Sequence, residues 1–236
     1  MNTLVIMAKH PVAGQVKTRL AKSVGDTTAA ELATAFLVDL VARLRTCGHR
    51  RVLATWPPGE AAEAFFTDLA GDHFELWTQP PGTLGDRLAG VATNFLDHDD
   101  RIVVIGSDSP TLPAKTIETA FEALDSADVV LVPSDDGGYV LVGQRREVPE
   151  LFDRIDWSTS RVFEQTRQRL EAAGTSFVEL SGWYDIDTLE DLSRLDRELA
   201  IAREREADGA GERLAPATSR RLDAMPGDWD SRPQDR

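Results

Sequence analysis

The sequence predicts an α/β fold with a mostly parallel central sheet and helices on both faces. Three observations carry this. Ile102-Val103-Val104-Ile105 is an unbroken run of apolar β-branched residues, the signature of a strand buried on both faces. Residues 3–8 read the same way near the start of the chain. Strand-like runs then alternate with stretches of helical period, which is the pattern of a βαβ series.

The elements follow in order. After the first strand comes a loop with Pro11 and Gly14. Asp26 or Thr27 caps a helix over 28–45, where Leu32, Phe36, Leu37, Leu40, Val41 and Leu44 recur at helical spacing. Residues 51–55 form a strand broken by Trp56-Pro57-Pro58. A helix over 60–69, a short strand over 74–77 and a helix over 84–95 come next. The strand at Ile102 is followed by a helix that Pro113 opens. Strands over 128–132 and 139–142 flank Pro133-Ser134-Asp135-Asp136-Gly137-Gly138. A helix over 160–172 leads to a strand over 177–180. The last helix, 187–205, carries Leu189, Leu192, Leu195 and Leu199 on one face. From 208 to 236 the composition turns to Gly, Pro, Arg, Asp and Ala without periodicity, which predicts a disordered tail containing Trp229.

Composition narrows the function. The chain of 236 residues has a formal net charge of −14, which excludes nonspecific binding to nucleic-acid backbone. An anionic ligand then needs a local positive pocket. The single cysteine, Cys47, rules out an intramolecular disulfide and reads as a packing residue. No apolar run approaches the ~20 residues of a membrane span, and no signal-peptide pattern precedes the first strand. The expected compartment is the cytoplasm. The histidines, His10, His49, His73 and His98, show neither zinc spacing nor a hydrolase triad.

Five segments carry the polar chemistry. Lys9-His10-Pro11-Val12-Ala13-Gly14-Gln15-Val16-Lys17-Thr18-Arg19-Leu20 leaves the first strand where α/β folds bind phosphate. Lys17 and Arg19 supply cations there, and Gly14 lets the backbone approach a ligand. The spacing is not that of a P-loop. Gln79-Pro80-Pro81-Gly82-Thr83-Leu84-Gly85-Asp86-Arg87 joins a strand to a helix start, where free N–H groups receive an anion; it also reads as an ordinary Pro-Gly turn. In Ser107-Asp108-Ser109-Pro110, Asp108 follows a buried strand, where ligands bind in open α/β sheets; capping a turn explains it equally well when viewed alone. Asp135-Asp136-Gly137-Gly138-Tyr139 is either a hairpin turn or a pocket wall, with Tyr139 available to a ring or hydroxyl. In Trp183-Tyr184-Asp185-Ile186-Asp187-Thr188, Asp187 with Glu190 matches a capping box, whereas Asp185 has no such role. One of these acids can share a Mg²⁺ with Asp108, since hard cations take several carboxylate or water oxygens.

Taken in order, M-A-K-x-P-x-x-G-x-V-K-T-R-L, L-G-x-R, G-S-D-S-P-x-L-P, D-D-G-G-Y-x-L-x-G and D-I-D-T-x-E-D-L resemble the radical-SAM/selenodomain-associated transferase family 1, glycosyltransferase-like members of the nucleotide-diphospho-sugar transferase (GT-A) superfamily. The likeness spans residues 2–195. More distantly, Lys17-Thr18-Arg19-Leu20 and Asp185-Ile186-Asp187-Thr188 resemble the cofactor guanylyltransferases. The resemblance implies a single GT-A-like (Rossmann-like) domain over 1–207. It implies phosphate ligands Lys17 and Arg19 and metal ligands Asp108 with Asp185 or Asp187. The Ser107-Asp108-Ser109 triplet departs from the Asp-x-Asp of many metal-dependent GT-A enzymes and keeps nucleotidyl transfer in play.

The expectation is a metal-dependent transferase using a nucleotide-activated donor and a small-molecule acceptor, with Mg²⁺ or Mn²⁺. Glycosyl transfer leads. Nucleotidyl transfer with release of pyrophosphate is the alternative, and a non-catalytic nucleotide-binding protein is the rival from another class. Lys17, Arg19 and Asp108 are the expected catalytic residues. Lys9, Gly14, Gln79, Gly82 and Gly85 join Lys17 and Arg19 around the nucleotide. Asp136, Gly137, Gly138 and Tyr139 face the substrate, and Asp108, Asp185 and Asp187 face the metal.

Overall fold

The computed structural model describes residues 1–96, 101–208 and 213–225. The strands are β1 (Asn2–Lys9), β2 (Arg50–Trp56), β3 (Glu75–Thr78), β4 (Arg101–Ile105), β5 (Val129–Pro133), β6 (Tyr139–Gln144) and β7 (Phe177–Glu179). They form one sheet in the order β3-β2-β1-β4-β6-β5-β7. The pairs β1–β4, β2–β3 and β5–β7 are parallel, and β6 runs antiparallel to both β4 and β5. The helices are α1 (Thr18–Val24), α2 (Asp26–Leu44), α3 (Glu60–Ala70), α4 (Leu84–Phe95), α5 (Ala114–Ala123), α6 (Val162–Ala173), α7 (Leu189–Ala207) and α8 (Pro216–Asp223). This is the expected α/β architecture, a mostly parallel sheet flanked by helices.

The chain divides into two units. The first comprises Met1–Ala8, Leu44–Gly106 and Leu112–Tyr184. It holds the sheet and α3 to α6. The apolar runs behave as the sequence predicts: Val5 pairs with Val104 across β1–β4, Val104 with Val142 across β4–β6, and all three are buried. Val5, Val104, Leu131 and Val142 belong to one core cluster with Leu88, Val91 and Phe95 of α4. Helix α4 begins where its cap dictates. The Thr83 hydroxyl accepts from Asp86 N–H, and Asp86 Oδ2 accepts from Thr83 N–H at 2.8 Å.

The second unit comprises Lys9–Arg43, Ser107–Thr111 and the chain from Asp185 onward. It holds α1, most of α2, α7 and α8. Helix α7 buries Leu189, Leu192, Leu195 and Leu199, as its period predicts. Helix α1 was not expected. It spans seven residues and buries only Leu20 and Ala21, too little periodicity to separate it from a loop.

The tail expected to be disordered from 208 contains α8, which buries Thr218, Ser219 and Leu222. The cause lies far away in the chain. Asp39 of α2 is 3% exposed, and its carboxylate accepts from Ala217 N–H and Thr218 N–H, each at 2.8 Å. It therefore caps a helix that begins about 180 residues later, a partnership no local pattern can reveal. Arg221–Glu31 and Arg203–Asp223 pairs add exposed contacts. Residues 226–236 with Trp229, and His98, lie outside the described residues. Asp39→Ala is expected to cost about 1–2 kcal/mol, the value of a lost helix cap. Hydrogen exchange should report it as lost protection confined to the α8 amides; unchanged protection there would refute the capping role.

Among the described residues no helix is long and apolar enough to cross a membrane.

Candidate functional site

The site is built in the second unit, from the β1–α1 loop, the segment after β4 and the segment before α7. The loop is folded on itself. Val12 N–H donates to His10 O, Gln15 N–H to Val12 O, and the Lys9 ammonium to Gln15 O at 2.6 Å. It ends at Lys17, which adopts the left-handed conformation (φ 48°, ψ 41°) just before α1. A left-handed lysine costs roughly 1–2 kcal/mol and persists only where its surroundings enforce it.

Two carboxylates hold its side chain. Lys17 Nζ lies 2.7 Å from Asp108 Oδ1 and 3.0 Å from Asp187 Oδ1. The Lys17 side chain is 4% exposed, against 45% for Asp108 and 30% for Asp187. Burial alone lowers the Lys17 pKa. The charges of Asp108 and Asp187 and their hydrogen bonds outweigh it, so the ammonium is held above the ordinary lysine value. Burial likewise pushes Asp187 up, but Lys17 and then Arg19 pull it below the usual aspartate value. Arg19 pairs with the other oxygen of Asp187, Oδ2.

Backbone and side-chain bonds hold the acids in place. Ile186 N–H donates to Asp108 O at 2.9 Å, and Ser109 Oγ donates to Asp185 Oδ1 at 2.7 Å. Thr111 Oγ1 donates to Glu198 of α7. The segment 107–111 is thus stitched to the residues before α7 and to the middle of the helix. The capping box expected from Asp187 and Glu190 is displaced by one residue. Thr188 is the cap, its hydroxyl accepting from Asp191 N–H, while Asp191 Oδ2 accepts from Thr188 N–H. The Asp187 carboxylate is therefore released from capping and goes to Lys17 and Arg19.

A cavity of about 190 Å³ opens beside these groups, lined by Lys9, Gln15, Val16, Lys17, Ala33, Leu37, Ser107, Asp108 and Asp187. It is smaller than the 300–1,000 Å³ of a typical small-molecule site. Its size and mixed charge suit a phosphate with a cation. Gln15 and Ser107 line it although neither was singled out; both lie within motifs that pointed here.

The donor chemistry fits a small hard cation. Asp108 and Asp187 present one oxygen each to a common point, the one Lys17 Nζ now occupies. Mg²⁺ is ordinarily held by one or two carboxylates with water and substrate phosphates completing its shell. Asp185 is engaged by Ser109 instead, and among the described residues no group of three or more His, Cys, Asp or Glu side chains is arranged to hold a metal. The structure thus unites Lys9, Lys17, Arg19, Asp108 and Asp187, with Gly14 in the same loop.

The remaining expected site residues lie in the first unit and are largely occupied by its packing. Gln79 is buried, and its amide donates to Ala54 O and Ala8 O. Gly85 backs onto the Trp157 indole, and Gly82 onto the Asp86 side chain. Arg87 stacks over Trp56 at 4.0 Å. Asp136 Oδ1 accepts from Gly138 N–H within a tight turn. Tyr139 is a packing residue in this structure, its ring edge-on to Trp157 and its hydroxyl buried.

Burial raises the Tyr139 phenol well above the ordinary value of 10, and the Thr166 side chain offsets only part of this. The unfolded chain therefore releases that proton first. This contribution to stability is full below pH 10 and is lost as pH rises further. Tyr139→Phe is expected to change stability by no more than about 1 kcal/mol at neutral pH and to flatten the alkaline limb. Urea midpoints on either side of pH 10 measure this; an unchanged alkaline limb would exclude Tyr139 as its source.

Comparison with known proteins gives a consistent relationship. The crystal structure of a "putative nucleotide-diphospho-sugar transferase" from Desulfovibrio desulfuricans G20 is 28% identical, with a TM-score of 0.79 over 89% of this chain and 98% of that one. A nucleotidyl transferase from Methanothermobacter (15% identity, TM-score 0.57, 84% of this chain and 97% of that one) shares the fold. So does CMP:2-keto-3-deoxy-manno-octonic acid synthetase complexed with CTP (14%, 0.54, 85% and 98%). No curated protein matches the sequence significantly. Residues 40–159, just over half of the chain, match the model of one family, and the chain belongs to it: "Uncharacterized protein conserved in bacteria (DUF2064)".

Proposed function

We propose that the protein is a divalent-metal-assisted transferase whose donor is a nucleotide-diphospho-sugar. The observation that carries this is the convergence of Lys17, Asp108 and Asp187 on one point beside a cavity of about 190 Å³. The likeness to the 28%-identical Desulfovibrio protein, described as a "putative nucleotide-diphospho-sugar transferase", supports it, as does the motif resemblance to the radical-SAM-associated transferases.

Lys17 and Arg19 bind the donor's phosphates. Asp108 and Asp187 hold the Lys17 pKa above the ordinary lysine value, so the side chain meets the donor as a cation. Arg19 is 61% exposed and reorients at little cost to grip a phosphate through two parallel bonds. Asp108 and Asp187 would hold Mg²⁺ or Mn²⁺, which would supply Lewis-acid stabilisation of the leaving phosphate oxygens. Lys9 and Gln15 line the entry for the remaining phosphate oxygens.

A second reading is nucleotidyl transfer. It is favoured by the single acid in Ser107-Asp108-Ser109, which makes the distant Asp187 the second carboxylate at the common point. Product analysis separates the two. The protein is incubated with nucleotide sugars and nucleoside triphosphates, with Mg²⁺ or Mn²⁺ and without. A nucleoside diphosphate product supports glycosyl transfer, and pyrophosphate supports nucleotidyl transfer. Thermal stabilisation by a nucleotide with no turnover of any donor would refute both and leave a nucleotide-binding protein.

A further inference from the structure

The point between Asp108 and Asp187 is filled by the chain's own cation. Lys17 Nζ lies 2.7 and 3.0 Å from one oxygen of each carboxylate, and the side chain carrying it is 4% exposed. A metal ion bound by those same two oxygens would occupy the same small volume. An ammonium and a divalent cation repel strongly at such a separation, most of all away from water. The two occupants therefore exclude one another.

We propose that Lys17 is the resident counter-ion of the metal position, and that a divalent cation binds by displacing its ammonium from Asp108 and Asp187. This rests on the metal reading above. Two features fit an ion built to leave. The lysine stem is flexible, unlike a guanidinium fork. The cavity beside it offers the ammonium somewhere to go, toward the anionic groups a donor would bring. In this exchange Lys17 trades two carboxylates for phosphate oxygens while the carboxylates trade Lys17 for the metal, so that no charge is left buried alone.

The test is a Mn²⁺ titration without nucleotide, read by electron paramagnetic resonance on the full chain. Lys17→Met and Lys17→Gly are both used; glycine suits the left-handed backbone if the methionine variant folds poorly. Removing the competitor is expected to tighten Mn²⁺ binding at least about tenfold, within the usual range for coupled sites. Asp108→Asn should abolish binding. Lys9→Gln removes a charge from the same cavity without touching either acid, and should shift affinity by about twofold at most. Equal affinity in the wild type and both Lys17 variants, with Asp108→Asn still abolishing binding, overturns the displacement and leaves the metal site standing. An equal gain in Lys9→Gln overturns it as well, since a general field would then suffice. Absence of Mn²⁺ binding in every variant overturns the metal site and the displacement together.

Discussion

Asp108→Asn is expected to lower metal-dependent turnover by about 10²–10³-fold, corresponding to roughly 3–4 kcal/mol of lost transition-state stabilisation. The fold should survive the change. Asp108 is 45% exposed, and the Lys17 ammonium keeps its bond to Asp187 at 3.0 Å when the other carboxylate becomes an amide. Asparagine retains an oxygen acceptor for Lys17. The expected loss of stability is about 1 kcal/mol, a shift of roughly 2–4 °C in Tm for a chain of this size. A large loss of kcat with a small loss of Tm is thus the signature of a chemical role. Once the donor is identified by product analysis, both quantities are measurable on one preparation. Full turnover in Asp108→Asn would remove this aspartate from the chemistry. A Tm drop as large as the kinetic loss implies would recast it as a structural partner of Lys17.

What was legible in the sequence follows from range. The strand Arg101–Ile105 announces itself because burial on both faces needs an unbroken apolar run, a local requirement. Helix α4 runs over Leu84–Phe95 as expected, and the structure adds a capping box held within four residues. The chemistry-bearing loops were legible for a similar reason, since they leave strand ends. Partnership was not legible. Lys17 meets Asp187 across 170 residues, and Asp39 caps α8 across about the same distance. A one-residue ambiguity also mattered before α7. Asp187 with Glu190 and Thr188 with Asp191 both satisfy the capping pattern, and the backbone uses the second. That choice frees Asp187 for the site. The strand-to-helix loop predicts Gln79 beside an anion, and the Gly-rich turn predicts Tyr139 beside a ring or hydroxyl. Gln79 instead satisfies the backbone carbonyls of Ala8 and Ala54, and the Tyr139 ring packs against Trp157.

The same distinction makes Gly137→Ala a decisive variant for Asp135-Asp136-Gly137-Gly138-Tyr139. Gly137 has φ +87° inside a tight turn, where its N–H donates to Ser134 O at 3.1 Å and its carbonyl accepts from Phe163 N–H at 2.8 Å. A Cβ there would lie 2.2 Å from Ser160 O and 2.7 Å from Ser160 C and Cα. Those atoms are backbone, so no rotamer change relieves the clash. The left-handed conformation costs alanine about 1 kcal/mol, and forcing the turn away from Ser160 adds an overpacking cost of about 1–3 kcal/mol. The expected destabilisation is about 2–4 kcal/mol, read as a Tm drop of roughly 4–16 °C. Gly174→Ala is the matched control. Gly174 also has positive φ, at +66°, but a Cβ there meets nothing within 4 Å. It should cost only the conformational part, about 1 kcal/mol. The difference between the two variants isolates the Ser160 contact. If Gly137→Ala is no more destabilising than Gly174→Ala yet loses turnover, the turn serves the substrate after all. If stability falls as expected, Gly137 is explained by the approach of residue 160 to the β5–β6 turn, with no substrate role needed to account for it.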